Sequence, residues 1–226
     1  MEHELAVATK YGMYWGNAWR ETPEGEVVVD GLYLHQPERF SMLFFSVFDK
    51  LRQLNDYCFH QLVSSETRLR ELMEQRSAAE ANKNSSAEEF FYLDDEIPVW
   101  TDNVGVTART VPIVLLCSFT EWGLKLVVKE FCGEVPRKTS SSMSDIESLL
   151  DHLRRSPLQV EVEAELIGAV GTFRRMRNEF AHGHWGALAT QLETLSLRAC
   201  FEVVSEIFMR IEEAAWSGPW KADISV

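Results

Sequence analysis

The segment Arg177-Asn178-Glu179-Phe180-Ala181-His182 holds the side chains of this sequence best suited to chemistry. An imidazole takes and gives protons near neutral pH, which makes His182 a candidate general acid or base. At ~100° per residue, Leu166, Val170, Phe173, Arg177 and Phe180 fall in one narrow stripe of a helix predicted from about Val160 to Ala181. A guanidinium in the middle of an apolar stripe is costly unless it is paired. Arg177 therefore has an internal acidic partner, or it lines a cleft or a subunit interface. Arg174 and Arg175 fall off the stripe. On an ideal helix His182 points ~140° away from Arg177. Gly183 supplies a left-handed stop that lets the chain turn at His182 and carry the ring back toward Arg177.

Plainer roles stand beside these. Arg177 can bridge a buried Glu within a bundle, and His182 can be a helix cap. Asn178 can simply satisfy backbone groups at a helix end. Glu121 pairs naturally with Lys125 at i, i+4. His184 reads as incidental, Trp185 as packing, and Arg137 and Lys138 as a solvated loop. His35, His60 and His152 have no partner legible in the sequence. No HExxH, Cys/His cluster or spaced carboxylate set is present, and no phosphate-cradling glycine loop or GxSxG. The sequence thus implies neither a metal nor a cofactor.

Arg177-Asn178-x-x-x-His182 followed by Gly183 resembles the Arg-Asn-x-x-x-His signature of HEPN domains. The stretch Phe119-Thr120-Glu121-Trp122-Gly123-Leu124-Lys125 is similar to an early helix of that bundle, where a Glu often stands. The resemblance covers roughly residues 110–216. It implies an all-α, HEPN-like bundle of four to five helices and a homodimer in which two motifs meet across a cleft. It also implies a metal-independent endoribonuclease, of toxin or defence type, held in check by a neutralising antitoxin or other regulatory protein. By that resemblance His182 acts as base on the RNA 2′-hydroxyl or as acid for the leaving 5′-oxygen. Arg177 holds the scissile phosphate, Asn178 orients the helix end, and Glu121 pairs with Arg177 or tunes His182. The alternative is a non-catalytic HEPN-like dimeric module binding a protein, nucleotide or RNA partner.

The elements that must position these residues read as follows. Residues 1–36 form an irregular arm with a short hairpin, Glu26 to Val29 paired through Asp30-Gly31 to Leu32-Tyr33-Leu34. Residues 37–100 hold one long helix or two abutting ones up to Asn82, with a break or a protruding coiled pair, then a linker and an apolar anchor at Phe90 to Leu93. Residues 101–226 form the core that carries the motif. Pro98 to Arg109 reads as loop. A helix from about Pro112 to Phe131, apolar all round, belongs at the centre of the bundle and ends at Cys132-Gly133. Ser144-x-x-Glu147 is a capping box. Gly168 and Gly171 suggest close helix packing, and a final helix runs from about Ala189 to Trp216.

The net charge is −13, with nine basic against eighteen acidic residues in the first hundred positions. That excess argues against nonspecific nucleic-acid binding by the whole surface and leaves room for a local arginine cluster. It also suits a basic partner protein. The four cysteines form no CxxC pair and read as buried thiols. No apolar run reaches the ~18 residues that span a bilayer, the longest being Val111 to Cys117, and Met1-Glu2-His3-Glu4 opens no secretory signal. The expectation is a soluble cytoplasmic protein with no membrane partner.

Overall fold

Helix formers dominate the chain and its apolar residues recur at helical spacing, so most of its backbone hydrogen bonds close within helices. The computed structural model describes residues 2–13, 19–22, 25–28, 34–37, 39–82, 85–135 and 144–218. It is all-helical apart from one short hairpin. Its elements are α1 (Glu2–Tyr11), β1 (Trp19–Thr22), β2 (Gly25–Val28), α2 (Met42–Ala81), α3 (Ala87–Asp102), α4 (Ala108–Cys132), α5 (Asp145–Arg155), α6 (Ala164–Ala181), α7 (Trp185–Thr194) and α8 (Leu197–Ser217). A π-helical turn, Asn103–Thr107, joins α3 to α4.

The N-terminal arm is more ordered than its sequence suggests. Val7, Ala8 and Tyr11 share one face of α1 and are buried. His3 Nε2 lies 2.9 Å from Thr67 Oγ1 of α2, and the Tyr11 hydroxyl donates to Glu66. The hairpin pairs Thr22 with Gly25, so its turn falls one strand earlier than Asp30-Gly31. Residues 29–33, which the sequence reading placed in the hairpin, lie outside the described residues, as do Arg137 and Lys138.

The forty residues of α2 form one continuous helix, roughly 60 Å long. Its first half buries Phe44, Val47, Leu51, Cys58 and Leu62 in the main core. Its second half meets α3 in a separate small cluster of Leu72, Ala79 and Leu93, flanked by Phe90, Ile97 and Trp100. The coiled pair is real, and the helix does not break.

The stretch read as loop, Pro98 to Arg109, is helical throughout. Pro98 and Pro112 each lack one N–H, and the π turn between them re-registers the hydrogen bonds without ending the helix. The uninterrupted run Ala87–Cys132 therefore contains an 18-residue window of mean hydropathy 1.7, long and apolar enough to cross a membrane. In this fold 56% of that window is buried inside the protein. The window overlaps α4, which packs against α2, α5, α6, α7 and α8 at the centre of the bundle. Gly133 ends it with φ +79°.

The close helix approach lies at Gly123 and not at Gly168 or Gly171. A Cβ on Gly123 would sit 2.5 Å from the Phe208 ring, whereas one on Gly168 or Gly171 would meet open space. The expected final helix is two helices, α7 and α8. Ser196 separates them, because its side chain accepts from Ala199 N and caps a new start. The main core draws on residues from Val7 to Ala215, so all three stretches distinguished in the sequence contribute to it. Of the eight α-helices among the described residues, five, α4 to α8, fall within residues 101–226, where a bundle of four to five was expected.

Cys58, Cys117 and Cys200 are buried free thiols and Cys132 is half-buried. Burial pushes Cys58 and Cys200 up to about 12 and Cys117 up to about 11. Unfolded thiols ionise near pH ~8.5. The folded state thus keeps protons that the unfolded chain sheds, and stability falls as pH rises from about 9 toward 12. Urea midpoints should hold steady up to about pH 8.5 and drop by about pH 10.5, with a Cys58→Ala/Cys200→Ala protein showing a shallower drop. Equal slopes in both proteins would remove the thiols as the cause.

Candidate active site

Helix α6 carries the motif, and its end is built by backbone hydrogen bonds. Gly183 adopts φ +73°. The N–H of His184 donates to the carbonyl of Glu179 (2.9 Å) and that of Gly183 to Phe180 (3.1 Å). This pair of bonds is a Schellman motif, which satisfies carbonyls that the helix end would leave orphaned. His182 N–H donates to Asn178 O at 2.9 Å. The turn is braced by Phe180 and Trp185, edge to face with ring centres 5.3 Å apart. The left-handed stop expected at Gly183 is therefore present.

The stop presents His182 outward. His182 and Asn178 are exposed. The His182 side chain has no hydrogen bond among the described residues, and its ring stands 5.9 Å from that of His184. His184 Nδ1 is 2.5 Å from Glu179 Oε2, so the neighbouring histidine is the tethered one.

Arg177 faces the other way, into a crevice between α4, the start of α5 and α6. Cys117, Ser118 and Glu121 line it from α4, Ser144, Asp145 and Ile146 from the α5 end, and Arg174 and Arg177 from α6. Its interior is about 40 Å³, room for a water or a very small anion. Four arginine Nε atoms in the described fold are buried with no hydrogen-bond partner, those of Arg109, Arg174, Arg177 and Arg210. The other two are held elsewhere: Arg109 donates to the Leu192 carbonyl, and Arg210 pairs with Glu163, Glu206 and Glu213. Arg174 and Arg177 have no hydrogen bond or ion pair among the described residues. Both positive charges pull down on the Cys117 thiol, opposing the larger upward push of burial.

The pairing of Arg177 with a buried Glu, considered from sequence, does not occur among the described residues. Glu121 lines the same crevice but spends its charge on Lys125 at i, i+4. Of the four motif residues, the fold brings Arg177 and Glu121 to one crevice and leaves His182 and Asn178 on the exposed surface outside it. Arg174, off the stripe in sequence, joins Arg177 one helical turn earlier in the crevice; the i, i+3 spacing was its signal. The capping box expected at Ser144 is complete, with Glu147 N–H donating to Ser144 Oγ (3.1 Å) and Ser144 N–H to Glu147 Oε2 (2.7 Å), and this α5 end lines the crevice without any local signal of it. Among the described residues no group of three or more His, Cys, Asp or Glu side chains is placed to hold a metal ion. Comparison with protein-family models, with curated proteins and with solved structures finds no match to this chain.

Proposed function

We propose that this protein is a metal-independent endoribonuclease of HEPN type that works as a homodimer. The observation that carries the reading is the state of the motif. Among the described residues Arg177 and Arg174 keep guanidinium edges without a protein partner, and His182 offers an untethered imidazole on a hydrogen-bonded turn five residues after Arg177. Unpaired, half-buried cations reduce stability, so a chain that keeps two of them on one helix has a use for an anion there.

In this reading His182 accepts the proton of an RNA 2′-hydroxyl. The 2′-oxygen attacks the adjacent phosphorus, the bond from phosphorus to the 5′-oxygen breaks, and that oxygen leaves with a proton. The products are a 2′,3′-cyclic phosphate and a 5′-hydroxyl. Arg177, with Arg174 beside it, holds the phosphate and stabilises the charge that builds on it. Because His182 and Arg177 of one chain face different surroundings, the two roles are filled across a dimer, with the histidine of one subunit serving the arginines of the other. A neutralising protein partner and a defence or toxin role follow from the same family resemblance.

The second reading is a non-catalytic binding module. That same separation of His182 from the arginine crevice favours it, as does the net charge of −13. One experiment separates the two. Purified protein incubated with RNA in excess EDTA should leave fragments ending in 2′,3′-cyclic phosphate, and a substrate with 2′-deoxy linkages should stay intact. RNA left whole by a well-folded dimer would give the case to the binding module.

A further inference from the structure

The inner face of α3 closes the small cluster with α2, through Phe90, Leu93, Ile97 and Trp100. At ~100° per residue the opposite face holds Glu88, Phe91, Tyr92, Asp95, Val99 and Asp102. All six are exposed. Phe91 is 72% exposed, Val99 61% and Tyr92 50%, values that place three large apolar side chains in water on one helix face. Single exposed hydrophobes are ordinary, but three on the outer half of one helix mark a binding surface.

The charges on this face identify its occupant. Residues 87–102 contain six acidic side chains and no Lys or Arg. Asp94 is taken by Arg76 at 2.8 Å, and Glu96 accepts from the Trp100 indole at 3.2 Å. Glu88, Asp95 and Asp102, on the outer face, have no ion pair among the described residues. Of the nearby cations of α2, Arg76 stacks on Phe90 of the inner face, and Arg68 donates to the Tyr92 hydroxyl at 3.2 Å. The outer face thus carries Glu88, Asp95 and Asp102 in a line along its centre, with Phe91 on one flank and Tyr92 and Val99 on the other.

We propose that the outer face of α3 docks a basic amphipathic helix of a partner protein. Such a helix sets a line of lysines or arginines against Glu88, Asp95 and Asp102 and packs the apolar side chains that flank that line on Phe91, Tyr92 and Val99. From Glu88 to Asp102 the face is roughly 21 Å long, matching a partner helix of about 14 residues. The surface is separate from the α6 motif and does not depend on catalysis.

The test uses the full-length protein and a labelled helical peptide of about 14 residues, built of leucine and lysine with lysines at i and i+7 flanked by leucines at i+3, i+4, i+10 and i+11. Binding is read by fluorescence anisotropy. The peptide should bind saturably, and its glutamate counterpart should not. Phe91→Ser and Val99→Ser should each weaken binding about tenfold. Glu88→Lys/Asp95→Lys should weaken it further, and Glu161→Lys/Glu165→Lys, with the same change in net charge on a different exposed segment, should leave it unchanged. No binding, equal loss in the two charge-reversal proteins, or full binding by both serine variants would overturn the proposal. So would a dimer that Phe91→Ser turns into a monomer, since the occupant would then be a second copy of this chain.

Discussion

His182→Ala should lower RNA cleavage by about 10²–10⁴-fold, the usual contribution of a positioned acid or base, while the thermal midpoint barely moves. The two halves of this expectation rest on one observation. His182 is exposed, and its side chain makes no hydrogen bond among the described residues, so its removal leaves no orphaned partner. His184→Ala is the matched control. It cuts the link to Glu179 yet should retain most cleavage, because that ring is already engaged. Arg177→Ala should lose activity to a similar degree, with stability held or slightly raised, since an uncompensated guanidinium leaves the crevice. Arg177→Lys should recover only part of the activity, because an ammonium cannot give a phosphate two parallel N–H bonds. Mixing the His182→Ala and Arg177→Ala proteins should restore some cleavage if the site is shared between subunits. An active Arg177→Ala or His182→Ala protein would end the catalytic reading.

The second large effect concerns stability and lies far from the motif. Glu212 of α8 is buried, with its side chain 3% exposed, and both carboxylate oxygens are used. His35 Nε2 is 2.7 Å from Oε2, and the Trp216 indole donates to Oε1 at 3.2 Å. The same histidine donates its backbone N–H to Ser205 Oγ at 2.7 Å and sets its ring against the Phe48 edge. Arg39 lies over the Trp216 ring, 5.3 Å from its centre. This clasp pins the segment before α2 onto α8. Glu212→Ala removes the buried acceptor that two half-buried donors share and opens a void, a loss of about 3 kcal/mol. For a chain of this size that is a fall in Tm of roughly 6–12 °C. Glu212→Gln keeps an acceptor and should cost less than half as much. A Glu212→Ala protein melting within about 2 °C of the wild type would show that the clasp carries no stability.

These sites differ in how far the sequence announced them. The capping box at Ser144 and the stops at Gly133 and Gly183 were legible, because each depends on residues within four positions of one another. The central placement of α4 was legible from its unbroken apolar surface. The helix through Pro98 and Pro112 was not, since local rules read proline as a break and only tertiary packing maintains the run across a π turn. Ser196 was passed over in the same way, as one polar residue inside an apolar repeat. At the motif, the stripe showed Arg177 to be half-buried, and the wheel could not show which neighbours it would meet. Arg174 entered the crevice because α5 packs beside it, a contact between residues thirty positions apart. The partner of His35 is 177 positions away in sequence, and no local pattern carries such information.

The length of α2 has a dynamic consequence. Its near half is locked by large side chains in the main core, whereas its far half, past the α1 contacts at Glu66 and Thr67, rests on a small cluster shared with α3, with Leu72, Ala79 and Leu93 buried among the described residues. Free energies of local opening follow such differences in burial. The helix is therefore one rod in shape and two units in protection. Its far end and α3 should separate and re-form many times while the near end stays shut. Amide protons along a single uninterrupted helix should then exchange on two time scales, with the boundary past Thr67, the last α1 contact.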